Sequence, residues 1–337
     1  LAGFEGATGG DVRFDGGDVS SDGGLLVLRE IDRKLGIADA LASCLRDDRN
    51  PAFVRHSYAD MIRFRSMGIA AGYADGDDCD ALRHDPVFKI TLNRAPLSGD
   101  ALCSQPTLSR LENRATWSML YRMGTAMIDI YCRSYSTPPR RLVLDIDDTF
   151  DPAHGNQQLT LFNGYHGERG FQPFHIYDET GRPVITVLRA GKRPSGAETL
   201  TLLKRVIGRI RENWPRVKIL LRGDGHYSTP EVISWCRAQG FDYVFGLPGN
   251  VSLDRRVARL CETTAARFAA FQQKNPKAAE RTRLRRFTDF WDAAKSWPRT
   301  ERVVARVEAT AEGVKVRYVV TSLTAPRAKA LYESTYA

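Results

Sequence analysis

The sequence lacks the short motifs that mark several large enzyme classes. It contains no G-x-S-x-G elbow, no G-x-x-x-x-G-K-[ST] loop and no G-x-G-x-x-G motif, so a serine hydrolase, a P-loop NTPase and a dinucleotide enzyme are not indicated. None of the six cysteines forms a C-x-x-C pair, which argues against a zinc ribbon or dense disulfide framework and suits a reducing cytosol. No apolar run approaches the roughly 18 residues of a membrane span, and no signal-peptide pattern is present. Membrane insertion and secretion are therefore not expected.

Basic side chains outnumber acidic ones. Lys and Arg total 49 against 40 Asp and Glu, which gives a formal net charge of +9 and a pI near 9.3. Such an excess favours a polyanionic partner, because neutralising phosphates releases counterions whatever the sequence of the partner. With 337 residues, of which 42% are hydrophobic, the chain can bury a sizeable core in two or three domains. Nucleic acid is the favoured partner.

Composition and hydrophobic periodicity divide the chain into five segments. The first is rich in Gly and Asp, the second has helical periodicity, the third alternates strands and helices, the fourth is basic and mostly helical to about residue 300 before a hairpin, and the fifth begins another helix. Their boundaries are 1–20, 21–135, 136–249, 250–323 and 324–337.

Apolar runs in the third segment predict the element order β-β-β-α-β-α-β. The predicted strands are 141–147, 171–178, 183–190, 217–223 and 242–247. Ser195-Gly-Ala-Glu198 is a capping box that opens the first helix, and Thr229-Pro230 opens the second. A hairpin followed by βαβ crossovers predicts a mixed sheet covered by helices. This is the order of a ribonuclease H-like core, so the predicted fold class is α/β, with an N-terminal all-helical domain and an α+β insertion after the last core strand.

Aspartates follow two of these predicted strands. Alternation along 141–147 puts Asp145 and Asp147 on one face, with Asp148 where the strand ends, and Asp224 ends the strand 217–223. Acids at strand ends often only cap loops, and for any single one of these aspartates loop capping is the alternative interpretation. Several acids on a central strand are costly unless they bind cations. Paired carboxylates of this kind hold Mg²⁺ or Mn²⁺ in a two-metal site for displacement at phosphorus.

A series of motifs spread over nearly the whole chain resembles one known family. The motifs are Ser21-Asp-Gly-Gly-Leu-Leu26, Arg29-Glu-Ile-Asp32, Leu82-Arg-His-Asp-Pro86, Ser104-Gln-Pro-Thr-Leu-Ser109, Leu144-Asp-Ile-Asp147, His154-Gly155, Leu220-Leu-Arg-Gly-Asp224 and Arg317-Tyr-Val-Val-Thr321. In this order they are similar to an insertion-sequence DDE transposase, and more narrowly to the insertion-sequence thirteen-eighty group.

The resemblance implies a set of catalytic acids. The first acid maps to Asp147 in Asp147-Asp148-Thr149, with Asp145 as the fallback and further metal ligand, and the second maps to Asp224. The third is a Glu in a Tyr-x-x-Arg-x-x-x-Glu pattern that Tyr336 could begin, so it is expected beyond Ala337. Glu333 lacks an Arg at the required spacing. We therefore expect the chain to be truncated before its third acid and catalytically impaired.

The resemblance also implies partners and a cellular location. The substrates would be double-stranded DNA, both the terminal inverted repeats of the transposon and the target, and action on two ends implies a homodimer. The segment 21–135 would bind DNA, 136–249 would be the catalytic core, and the protein would act in the bacterial cytoplasm, associated with the nucleoid. No membrane partner is implied.

Several cations are candidates for DNA contact, each with a plainer structural alternative. Arg110 lies on a predicted helix that either reads DNA or packs with its polar face exposed. Arg222 and His226 flank Asp224 and either contact phosphate or shape the loop. The other candidates precede the capping box or lie in the basic insertion, where solvated surface is the alternative: Lys192, Arg193, Arg283 and Arg285.

Two rival functions share these features. A ribonuclease H-like nuclease would use the same acids to hydrolyse DNA without joining it. An inactive DNA-binding relic of a transposase would keep the basic surface but not the chemistry.

Overall fold

The computed structural model describes residues 20–155, 157–297 and 299–336, which fall in two compact units, 1–130 and 131–337. The predicted irregular segment at the N-terminus lies outside the described residues, apart from residue 20. The boundary between the two units, at 130/131, lies five residues before the predicted boundary at 135/136 and falls inside a long helix. Among the described residues, no helix combines the length and apolar character that crossing a bilayer requires.

The described part of the first unit is helical, with one 3₁₀ turn at Pro51–Phe53. Its helices are α1 (Leu25–Leu35), α2 (Ile37–Ser43), α3 (Tyr58–Ala70), α4 (Cys79–Leu82), α5 (Pro86–Thr91), α6 (Gln105–Glu112) and α7 (Trp117–Arg133), the last running into the second unit. Met61, Phe64 and Phe88 are almost fully buried at the centre of this unit. Helix α6 ends at Glu112, where Nδ2 of Asn113 donates to the Ser109 carbonyl at 2.9 Å, and α7 starts at Trp117.

The second unit is built on one large mixed sheet. Its strands are β1 (Arg141–Asp148), β5 (Phe174–Asp178), β6 (Pro183–Val187), β7 (Lys218–Gly223), β8 (Asp242–Leu247), β9 (Leu284–Asp292), β10 (Glu301–Thr310) and β11 (Gly313–Thr321). Their spatial order is β6-β5-β1-β7-β8-β11-β10-β9. The central strands β1, β7 and β8 are parallel, while every other neighbouring pair is antiparallel.

Helices and the last described segment cover this sheet. The helices are α8 (Gly196–Asn213), α9 (Pro230–Gln239), α10 (Val251–Lys274), α11 (Pro276–Ala279) and α12 (Ala328–Ala330), followed by a π-helical turn at Leu331–Tyr336. On β1, Leu142, Val143 and Leu144 are all buried, so both faces of the central strand are covered. Val143 shares its cluster with Leu331 of the π-helical turn. The predicted cap of α8 is confirmed, since the Ser195 hydroxyl accepts from the Glu198 amide.

The predicted insertion differs from the structure. Strand β11 pairs with β8, so β9, β10 and β11 extend the large sheet rather than forming a separate subdomain. The helical expectation for 250–300 is wrong over β9, a third strand beside the expected hairpin. Its mixed basic and aromatic residues carry no clear strand period, and pairing with β10 supplies the backbone hydrogen bonds.

A small second sheet follows β1. It consists of β2 (Asp151–Pro152), β3 (Leu161–Asn163) and β4 (Glu168–Phe171), in the order β2-β4-β3. Strands of two to four residues are too short for alternation to reveal, and the sequence did not predict them. The sheet lies between the carboxyl end of β1 and the start of β5 in the chain.

Candidate functional site

The neighbouring strands β1 and β7 each carry an acid near the carboxyl end. The strands pair in parallel with Asp145 opposite Arg222 and Ile146 opposite Gly223. The residues that follow this last pair are Asp147, still within β1, and Asp224, directly after the end of β7. Asp147 is exposed, and the Asp224 side chain is 55% exposed. The fold thus presents two carboxylates to solvent at one edge of the sheet.

The turn after β7 depends on a glycine at its start. A β-carbon on Gly223 would lie 2.9 Å from Cδ2 of the Tyr227 ring, which is fully buried. This close approach allows the chain to turn directly after Asp224. The turn carries His226 back towards β1.

His226 links the two strand ends. Its Nε2 lies 3.0 Å from Oδ2 of Asp148, and its Nδ1 lies 2.8 Å from Oδ1 of Asp224, a close ion-pair contact without hydrogen-bond alignment. The His226 amide also donates to the same Asp224 oxygen at 3.1 Å. The imidazole is 9% exposed and the Asp148 side chain 6%. The contacts fix Asp224 through one oxygen.

This contact shifts the pKa values of both partners. Burial opposes the charged form of His226, but hydrogen bonding to Asp148 and the charge of Asp224 outweigh it and raise its pKa to about 9. Burial likewise tends to raise the pKa of Asp148, yet the bonds from His226 and Gln172 hold it below its ordinary value. At neutral pH the pair is imidazolium and carboxylate.

A hydrogen-bonded chain continues from Asp148 into the small sheet. Nε2 of Gln172 donates to Oδ1 of Asp148 at 3.1 Å, and Nδ2 of Asn163 on β3 donates to Oε1 of Gln172, also at 3.1 Å. Both oxygens of Asp148 are therefore engaged. The small sheet is connected to Asp224 through four polar side chains in series.

Asp145 and Arg222 form a second pair on the same two strands. The guanidinium bonds both carboxylate oxygens of Asp145, the longer contact being 2.6 Å from Nη2 to Oδ2. Nη1 of Arg222 donates to the carbonyl of Thr335 at 2.9 Å. This pairing favours neither the metal-binding role predicted for Asp145 nor the phosphate contact predicted for Arg222.

The other predicted residues belong to other elements of the chain. Arg110 belongs to α6 in the first unit and donates to the Thr107 hydroxyl at 3.2 Å. Lys192 and Arg193 are exposed just before α8, and Arg283 is exposed just before β9. Arg285 on β9 is paired with Glu308 at 2.6 Å.

Glu333 forms an ion pair with a lysine one helical turn before it. It lies 3.8 Å from Lys329, and its charge acts on the pKa of Arg285 on β9. The end of the π-helical turn reaches the Asp224 loop. A β-carbon built on Gly246 of β8 would lie 2.8 Å from the Tyr336 hydroxyl and 2.7 Å from the Gly225 amide.

Two exposed carboxylates, Asp147 and Asp224, are the groups here that could hold a metal ion. Within residues 20–155, 157–297 and 299–336, no group of three or more His, Cys, Asp or Glu side chains is arranged to hold a metal ion. Mg²⁺ is commonly bound by one or two carboxylates, with waters and phosphate oxygens completing its shell. Exposed Asp147 and Asp224 fit that donor set.

Sequence reasoning missed the roles of Asp148 and Gln172. Asp148 was expected only to cap the loop at the end of its strand. Its side chain is instead the more deeply buried of the two carboxylates that contact His226. The sequence feature that could have indicated a role for Asp148 at the site is that it directly follows Asp147. Gln172 does not belong to any sequence motif. Its position beside Asp148 depends on the small sheet, which the sequence did not predict.

One family profile and several solved structures match this chain. The profile of the family described as Transposase DDE domain group 1 matches residues 10–337. A piggyBac transposase synaptic complex with hairpin DNA is similar in structure, with a TM-score of 0.41 and 12% identity over 89% of this chain and 61% of that chain. A Mos1 transposase paired-end complex with left transposon end has a TM-score of 0.23 and 12% identity, over 69% of this chain and 79% of that chain.

The present chain spans less than two thirds of the length of the piggyBac chain. No curated protein sequence matched. Because the family profile covers nearly every residue, the chain belongs to the DDE-domain transposases of group 1.

Proposed function

We propose that this protein is a DNA transposase of the insertion-sequence thirteen-eighty group, which cleaves and joins insertion-sequence ends by metal-dependent chemistry. The observation that carries the proposal is the parallel register of β1 and β7, whose last pair, Ile146 and Gly223, directly precedes Asp147 and Asp224 along the chain. Family membership supports the class of chemistry. The strand order β6-β5-β1-β7-β8 supports assigning these five strands to a ribonuclease H-like core.

Each residue at the site has a distinct part in the proposed mechanism. Asp147 and Asp224 hold Mg²⁺ or Mn²⁺, which when bound activates a water or a 3′-hydroxyl and stabilises the leaving oxygen. His226 orients Asp224 through one carboxylate oxygen. Asp148 holds His226 in place and keeps it charged. Asp145, the fallback acid, instead fixes Arg222 and, through it, the last turn.

The partners follow from the chemistry and the charge. The substrates are the terminal inverted repeats and the target, both double-stranded DNA, which suits the net charge of +9. Cutting two ends in one complex requires two active sites, so we include a homodimer in the proposal. The third acid is not assigned to any described residue.

The test replaces each acid by its isosteric amide. We expect Asp147→Asn and Asp224→Asn each to lower Mg²⁺-dependent cleavage of inverted-repeat DNA by roughly a thousandfold, with DNA binding retained. Mn²⁺ binding, followed by electron paramagnetic resonance, should weaken in the same two variants. Asp151→Asn is the matched control, since it removes an exposed carboxylate from the adjacent strand β2.

The products separate the proposed function from its rivals. Joined transposon and target strands identify a transposase, whereas cleavage without joining identifies a nuclease. Wild-type cleavage or metal binding in either variant would show that the wrong carboxylates were chosen. DNA binding with no cleavage by a protein that also carries a third acid would identify a relic.

A further inference from the structure

The first unit contains a basic cavity that the proposed catalytic site does not use. It has a volume of about 450 Å³ and lies between the 3₁₀ turn, the end of α4 and the start of α6. Arg55, His56, Arg83 and Thr107 are among its lining residues. Every residue of this cavity lies within the first unit.

Two arginines that line this cavity, and a third that contacts its lining residue His56, lack a carboxylate partner among the residues that the structure describes. Arg55 is exposed, and Nε of Arg83 is buried with no hydrogen-bond partner. Arg94 donates to the carbonyls of Asp100 and Ala101 and to Nδ1 of His56 at 3.2 Å. The carbonyl oxygens accept hydrogen bonds from the Arg94 guanidinium but do not neutralise its positive charge.

The remaining arginine of the cavity, Arg49, is already neutralised. Nη2 of Arg49 lies 2.7 Å from Oδ2 of Asp47, and the guanidinium stands 4.1 Å from the centre of the Tyr58 ring. The contrast matters because unpaired guanidinium groups in a concavity create an uncompensated positive potential. Burial first, and then the charges of Arg94, Arg83 and Arg55, lower the pKa of His56.

Uncharged groups complete a surface suited to a sugar-phosphate chain. Phe53 projects from the 3₁₀ turn with 82% of its surface exposed. Ser104 and Thr107 also line the cavity, and their hydroxyls lie 3.1 Å apart. Guanidinium and hydroxyl donors bind phosphate oxygens, and an exposed aromatic ring offers an apolar contact to deoxyribose.

We infer that this cavity binds the phosphodiester backbone of duplex DNA, through Arg55 and Arg83 at phosphates and Phe53 at the adjoining sugar, with the charge of Arg94 beside His56 adding to the positive potential. The inference rests on the proposed function for its choice of DNA. The site is separate from Asp147 and Asp224 and needs no metal ion. It would position the duplex without reading its sequence.

The experiment measures duplex binding by the full chain in EDTA. Fluorescence anisotropy of a labelled duplex of about 30 base pairs is recorded over a salt series, since each phosphate contact contributes a slope of about −0.9 to log K against log salt. Arg55→Ala and Arg83→Ala should each flatten the slope by about 0.9 and weaken binding about five- to tenfold at low salt. The double variant should flatten it by about 1.8.

Controls separate this site from general electrostatics and from misfolding. Arg33→Ala removes one charge from α1, where Arg33 is 59% exposed and paired with Glu30, and should leave the slope unchanged. Arg83→Lys keeps the charge and should retain most of the slope if the thermal transition is intact. Phe53→Ala should weaken binding with no change of slope.

Three results would overturn the inference. The first is wild-type affinity and slope in Arg55→Ala and Arg83→Ala, and the second is an equal loss in Arg33→Ala. The third is tight binding of inorganic phosphate or ATP at this cavity with unchanged duplex affinity in the variants, which would make it a small-ligand site. Failure of the catalytic proposal is distinguishable, because Asp147→Asn and Asp224→Asn would then cleave normally whatever the binding data show.

Discussion

Replacing His226 by Asn should destabilise the second unit in a strongly pH-dependent way. The rise of its pKa from 6.5 to about 9 corresponds to about 3 kcal/mol of preferential stabilisation of the imidazolium. The imidazole is 9% exposed and Asp148 6%, so solvent screening reduces this value little. Part of this stabilisation comes from the same interaction that lowers the pKa of Asp148, so the contributions of the two residues are not added.

The sign of the effect follows from the direction of the shift. Because the folded-state pKa of His226 lies above its ordinary value, its contribution is fully present below pH 6.5 and is lost as the pH rises through about 9. We therefore expect His226→Asn to lower the free energy of unfolding by about 2 to 3 kcal/mol at pH 6 and by less than about 1 kcal/mol at pH 9.5.

The assay is urea denaturation in EDTA, followed by tryptophan fluorescence. Four of the five tryptophans, Trp214, Trp235, Trp291 and Trp297, belong to the second unit. The control is His154→Gln, which changes an exposed histidine of the same unit. Equal destabilisation by His226→Asn at both pH values would refute the electrostatic account of this contact.

Three further substitutions probe the fold around the site. Asp145→Asn should cost about 1 to 2 kcal/mol in urea denaturation, since it leaves the guanidinium of Arg222 only half-paired at 24% exposure. Gly246→Ala should lower the melting temperature and weaken Mn²⁺ binding, because its new methyl group would lie 2.7 Å from the Gly225 amide beside Asp224. Arg302→Lys should cost about 2 to 4 kcal/mol, because one ammonium cannot replace a 6% exposed guanidinium that bonds a carboxylate and three carbonyls.

Each substitution has a matched control elsewhere in the same unit. Glu312→Gln breaks a pair in which Glu312 is 78% exposed and should change stability by less than about 0.5 kcal/mol. Gly208→Ala adds a methyl group to α8 with no atom within 4 Å, and should be neutral or stabilising. Arg299→Lys alters an arginine that is 54% exposed. A control that matched its test variant in effect would contradict the contact assigned to that variant.

The central strands were predictable because each contains a continuous apolar run, 142–144 in β1, 219–221 in β7 and 243–245 in β8. Strand β8 has the predicted bounds 242–247, and β7 differs by one residue from the predicted 217–223. Strands buried on both faces need continuous apolar runs, which sequence alone reveals. Strand β9 and the small sheet were not predictable in this way, because neighbouring strands rather than local residues define them.

Side-chain partners at the site depended on register, which the sequence does not encode locally. Arg222 looks like a free cation in the chain, but parallel pairing sets it opposite Asp145. His226 lies one turn beyond Asp224 and reaches Asp148 only because β1 and β7 are neighbours. The acids themselves could be proposed from strand-end positions, whereas the ion pairs around them could not.

The pairing of β8 with β11 has a consequence for biosynthesis. During translation β8 leaves the ribosome long before residues 313–321 are synthesised. Until then, the backbone donors and acceptors of β8 that pair with β11 have no partner strand. Open edges of this kind recruit other nascent strands. Closing them over a long stretch of chain is also slow. Newly made copies would thus be most vulnerable to aggregation between the synthesis of β8 and that of β11, and a holding chaperone would be most useful in that interval.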